Sequence, residues 1–112
     1  MILDFGINDL SMGQETVVKP GDALMKSRSL NIEVHGTATV KRVEIVRNDQ
    51  VFWTKEVNAL DCKQTVIDGE DLSKIRIQRK VGGDGTVYYY LRVFQEDGHM
   101  GWASPIFFVV KK

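Results

Sequence analysis

A chain of 112 residues suits one domain, and 43% hydrophobic residues suffice for a core at that size. Fifteen basic residues balance fifteen acidic ones, so the chain lacks the cationic excess that nucleic-acid backbones demand. A single cysteine, Cys62, excludes an intrachain disulfide and suits a reducing compartment, and no apolar run approaches the ~20 residues of a membrane helix.

The N-terminal "MILDFGINDL" has neither the basic start nor the long apolar run of a signal peptide. Pro20-Gly21 marks a turn, and "GDALMKSRSL" (residues 21–30) reads as a loop entering a strand. In "LNIEVHG" (30–36), Leu30, Ile32 and Val34 alternate with Asn31, Glu33 and His35, the period of a half-buried strand. "VKRVEIVRN" and "VFWTKEV" flank the turn residues 48–50 and form a hairpin. "QTVIDGEDLS" (64–73) reads as a short strand and then a solvated loop. "KIRIQRKV" (74–81) alternates Ile75 and Ile77 with polar residues, and "GGDG" (82–85) is a turn. "TVYYYLRVFQED" (86–97) is the longest strand. "DGHMG" reverses the chain and "WASPIFFVV" closes it. Strands at this spacing predict an all-β fold, an antiparallel sandwich of about seven to eight strands.

The long strand sorts its own faces. Leu91 and Val93 belong to the core, so Tyr89 points inward, and its hydroxyl needs a partner. A tyrosine corner, with the hydroxyl bonded to backbone near the strand start, supplies one. Tyr88, Tyr90, Arg92 and Phe94 then share the opposite face, an apolar stripe of the kind that marks docking. Phe52 and Trp53 are successive, so they point to opposite sides of their strand, and Trp53 is taken to extend the stripe.

No set of residues carries catalytic chemistry. His35, Cys62 and His99 are far apart, without CxxC, HxH or HExxH, so no metal or other cofactor site is expected. Cys62 beside Lys63 reads as a quiet, partly buried thiol. "IDGED" lacks the ligand spacing of a calcium loop, and "KVGGDGT" leads into a strand, whereas phosphate-cradling loops lead into a helix. Trp53, Tyr88, Tyr90 and Trp102 offer flat faces to a sugar ring, so a carbohydrate-binding module is the alternative reading. In "DGHMGWASPI" (97–106), His99 is expected to be exposed and unligated. Trp102 is expected to be largely buried against one end of the core, and Pro105 to lie at a strand edge or bulge.

Three stretches, "VKRVEIVRNDQVF", "YYYLRVFQEDGHMGWASPIFF" and, more weakly, "INDLSMGQE", together resemble the C-terminal domain of bacterial PHP (polymerase and histidinol phosphatase) metal-dependent phosphoesterase-like proteins. The match is close at residues 42–48 and 88–93 and at Asp97-Gly98 with 102–106, loose at 58–84, and departs at Asp49, Gly101 and Ala103, where that family tends to have Gly, Ala and Ser. The resemblance implies an immunoglobulin- or fibronectin-III-like domain, 1–112, cut from the end of a longer protein whose catalytic domain carries the metal ligands. It implies that the last strand begins within residues 102–106. No position here matches those ligands. The expected role is non-catalytic, with the catalytic domain of the same polypeptide as partner, no nucleic acid and no membrane. The aromatic face also admits self-association. The compartment, cytoplasmic or extracytoplasmic, follows the longer protein.

Overall fold

A computed structural model describes residues 1–78 and 85–111. Its elements run β1 (Ile2–Ile7), β2 (Leu10–Ser11), β3 (Glu15–Val18), α1 (Ala23–Lys26), β4 (Arg28–Arg47), β5 (Gln50–Asp68), α2 (Leu72–Ile75), β6 (Ile77–Gln78), β7 (Gly85–Gln95), β8 (Met100–Trp102) and β9 (Ile106–Val110). The fold is all-β, as the alternation predicts. Among the described residues nine strands form one curled sheet in the order β2-β1-β4-β7-β9-β3, with β5 on β4 and with β6 and β8 on β7. Every pairing among the described residues is antiparallel except β3 with β9, which is parallel.

The β4–β5 hairpin organises this sheet. Its turn is Asn48-Asp49, both at positive φ (52° and 66°), between the paired Arg47 and Gln50, the two-residue geometry whose twist suits a hairpin. The runs at 30–36 and 40–47 are one strand, β4. Twenty residues at about 3.3 Å each would reach roughly 66 Å. The molecule is only 46 Å in its longest dimension, so β4 must fold over. It does so at residues 36–39, where the register with β5 breaks between His35 and Val40. Its first half pairs with β1 and the end of β5, and its second half with β7 and the start of β5. The sheet thereby closes into two layers, sandwich-like, with one core between them.

That core is the set the alternation selects. Leu30, Ile32 and Val34 of β4 face Val43 and Ile45 from the other half of the same strand, with Tyr89, Leu91 and Val93 from β7 and Ile106 and Phe108 from β9. The fold-over is pinned by Gln95, itself buried, whose Oε1 accepts from the Thr37 amide at 3.0 Å. Gly36 leaves room for this: a Cβ there would lie 2.5 Å from the Ala38 carbonyl oxygen and 3.0 Å from Gln95 Oε1. Gly36→Ala is therefore expected to destabilise by about 1–3 kcal/mol, the usual cost of overpacking, measured as a lower urea midpoint. An unchanged midpoint would show that the bend relaxes freely.

Several local expectations change. The N-terminal region supplies three short strands, because its apolar residues Phe5, Ile7 and Val18 reach the core. Residues 23–26 make one helical turn where a loop is expected. Ile75 ends α2 and Ile77 is exposed, so the strand expected at 74–81 is only Ile77–Gln78 among the described residues. The "GGDG" turn lies outside those residues except for Gly85, which opens β7. "WASPIFFVV" is two strands. Trp102 ends β8, residues 103–105 bridge, and Ile106 begins β9, since Pro105 has no amide to give a ladder.

Candidate functional site: two unlike faces and a buried ionic cluster

Cross-strand register places the outer face of the β7 layer in rows. Glu56, Arg42, Phe94 and Met100 form one row; Thr54, Glu44, Arg92 and Trp102 the next; Val51, Val46 and Tyr90 a third; Tyr88 and Phe107 follow. Tyr88, Tyr90, Arg92 and Phe94 are thus together on one face, as the alternation of β7 requires, and all four are half-buried. Tyr88 packs against Phe107 with the rings tilted by 39° and their centres 5.7 Å apart. Burial and a hydrogen bond to Asp49 push its phenol up to about 12. Arg42 lies over the Phe94 ring at 4.3 Å and Arg92 approaches it at 5.6 Å. Glu44, 8% exposed, holds Arg92 through Nε at 2.8 Å and Nη2 at 2.7 Å.

Two tryptophans exchange the roles expected of them. The register of β4 with β5 shifts between Ile45 and Val46, opposite Trp53 and Val51, so Phe52 has no residue facing it. This bulge turns Phe52 and Trp53 to the same, inner side, where both pack on the core. Phe52 meets the Tyr89 ring edge-on. Trp53 therefore leaves the aromatic face. Trp102 joins it: the indole is 61% exposed, not buried, because β8 pairs along β7 and sends Trp102 to the side of Arg92. Arg42, Met100, Trp102 and Phe107 also belong to this face, and only pairing reveals them, since they sit in β4, β8 and β9 and not in β7.

The opposite outer face is of another kind. There Asp4, Glu33 and Lys63 form one row and Gly6, Asn31 and Thr65 the next, around a shallow polar groove. His35, exposed, bonds Asp61 through Nδ1 at 2.9 Å with Glu33 at 3.5 Å, contacts that raise its pKa. His99 is exposed as expected and bonds the Asp97 carboxylate, which it pushes down to about 2. Cys62 is buried. No group of three metal-ligating side chains occurs among the described residues, nor any helix long and apolar enough to cross a membrane.

Where the two ends of β4 come together, away from the bend at residues 36–39, charges are buried. Tyr89 is inward as expected, but its hydroxyl bonds no backbone group among the described residues. It donates to Asp68 Oδ2 at 2.5 Å and accepts from Arg28 Nε at 3.1 Å. Arg28, fully buried, spends its other donors on the carbonyls of Leu24, Met25 and Glu70 and lies 3.3 Å from Asp68. Arg47 Nη1 joins Asp68 at 2.9 Å and Nη2 joins Glu70 at 3.0 Å. The two ends of β4 thus meet at one carboxylate, beside both helical turns. Gly69 and Glu70 are open to water as the solvated-loop reading expects, but Asp68, the last residue of β5, is only 1% exposed. Burial alone would push its carboxyl up. Hydrogen bonds from Tyr89, the Glu70 amide and Arg47, with the charge of Arg28, overcome this and hold it below the usual range.

No family model matches the chain, and no solved structure does. It is 40% identical over 110 residues to an uncharacterized protein of Chlamydia pneumoniae. It is 33% identical over 108 residues to one of Chlamydia trachomatis serovar D and 34% over 108 to one of Chlamydia muridarum. The matched region is 95% of this chain and spans 17% of the length of each relative.

Proposed function

We propose that this chain is a non-catalytic, immunoglobulin-like docking domain of a larger polypeptide, packing its aromatic outer face against a PHP-type, metal-dependent phosphoesterase-like catalytic domain. The observation that carries the reading is the contrast between the two outer faces. One is mainly charged and polar (Asp4, Asn31, Glu33, Lys63), with Ile2 and Ile67 exposed at its two ends, and suits water. The other combines Tyr88, Tyr90, Phe94, Met100 and Trp102 with arginines, the composition of protein interfaces. The much greater length of the matched relatives supports a setting in a longer chain, and the resemblance at residues 42–48, 88–93 and 102–106 supports the choice of partner. Interfaces between domains of one chain bury roughly 600–1,500 Å².

The test is removal of this domain from the longer polypeptide that carries it. We expect lower solubility and a lower unfolding temperature for the remainder, together with altered hydrolytic activity. A remainder unchanged in all three would sink the reading. Trp102, with its exposed indole, favours carbohydrate binding as a second reading. A glycan array addresses it, and binding that survives Trp102→Ala removes it.

A further inference from the structure

We infer that Arg42 anchors the docking face by receiving a carboxylate, from an Asp or Glu of the partner domain, on the open edge of its guanidinium. The inference rests on the docking role proposed for the aromatic face and adds the chemistry that face selects. The guanidinium carbon of Arg42 stands over the Phe94 ring, 4.3 Å from its centre, a cation–π contact that holds the charge against this face. Its Nε is buried and 3.3 Å from Glu44 Oε2, yet makes no directed hydrogen bond. Glu44 is already engaged by Arg92 through two nitrogens. Two guanidiniums therefore share one carboxylate. Arg42, 37% exposed, keeps both Nη groups without a hydrogen bond among the described residues.

The surroundings make this charge matter. Phe94 and Met100 continue the row of Arg42 on one side, and Trp102 stands in the adjacent row. Glu56 faces Arg42 from β5, at the exposed margin of the sheet, and makes no ion pair with it among the described residues. Covering the aromatic patch takes water from a surplus cation. An unpaired buried charge opposes association strongly, whereas a bidentate carboxylate satisfies it. The face therefore accepts an apolar surface bearing a carboxylate and rejects one that is apolar throughout or basic.

The experiment uses the full-length polypeptide that carries the domain, with three variants: Arg42→Glu, Arg42→Lys and Tyr90→Ser. Proteolytic release of the domain reports docking, and circular dichroism of the released domain confirms its fold. Arg42→Glu is expected to speed release at least about ten-fold, equivalent to ~1.4 kcal/mol. In the Arg42→Lys variant, carbodiimide is expected to link the new amine to an Asp or Glu outside residues 1–112, located by mass spectrometry. If Tyr90→Ser speeds release and Arg42→Glu does not, docking stands and the role of Arg42 falls. If neither variant changes release, both fall. A cross-link found only to Glu44 or Glu56 also overturns the inference.

Discussion

Arg28→Met is expected to cost about 3–5 kcal/mol, the range for breaking a buried ion pair from one side. Methionine matches the length of the arginine stem and fills much of its volume, so the loss reports polar contacts and not a cavity. Three carbonyl oxygens, of Leu24, Met25 and Glu70, lose their donor, and Tyr89 loses the bond from Nε. Asp68 keeps Arg47 and the Tyr89 hydroxyl, so its charge is not stranded outright. Domains of this size have ~5–15 kcal/mol in total, and the variant is expected to be marginal at 37 °C. Urea unfolding followed by Trp53 fluorescence measures it, with a midpoint lowered by at least about 1 M. A shift equivalent to less than about 1 kcal/mol would mean that the cluster is surplus to the fold.

Asp68→Asn removes the other side of the same cluster at constant shape. It leaves Arg28 buried with its counter-charge gone, and the new amide group points donors at donors. The expected loss at pH 7 is about 2–4 kcal/mol. The pH dependence separates this from simple repacking. The folded carboxyl of Asp68 is held below its unfolded value, so its contribution is complete above about pH 4 and is lost as pH falls through the lower, folded value. Wild-type protein should therefore lose stability on acidification below about pH 4, and its advantage over Asp68→Asn should shrink there. Asp71 and Asp97 are also held low, but they contribute equally to both proteins and cancel. Urea midpoints of both proteins between pH 2 and 7 test this, and a gap that stays constant across the range would refute it.

The strands were legible because period-two alternation is a local property. Leu30, Ile32 and Val34 must turn one way wherever the strand goes, and so must Tyr89, Leu91 and Val93. The face of Tyr88, Tyr90, Arg92 and Phe94 follows by the same parity. Trp53 escaped this logic because a bulge resets parity, and nothing in "VFWTKEV" marks where the extra residue falls. Trp102 escaped it because its exposure depends on which strand covers β8. The Asp68 cluster escaped it most completely. Arg28, Arg47, Asp68 and Tyr89 look like ordinary polar residues of four separate runs, and only the arch of β4 brings them within hydrogen-bond reach.

The residue order by itself therefore determined the all-β class, the hairpin turning within residues 48–50, the inner set of β4 and β7, and the aromatic stripe of β7. Each of these depends on backbone geometry over a few neighbouring residues. Tertiary structure alone decided that β4 folds over at residues 36–39 and that Trp53 and Trp102 exchange sides. It also decided that Arg42 meets Phe94 and that two arginines, an aspartate and a tyrosine share one buried site. Those outcomes depend on register between strands distant in sequence, where a shift of one residue reverses every side chain.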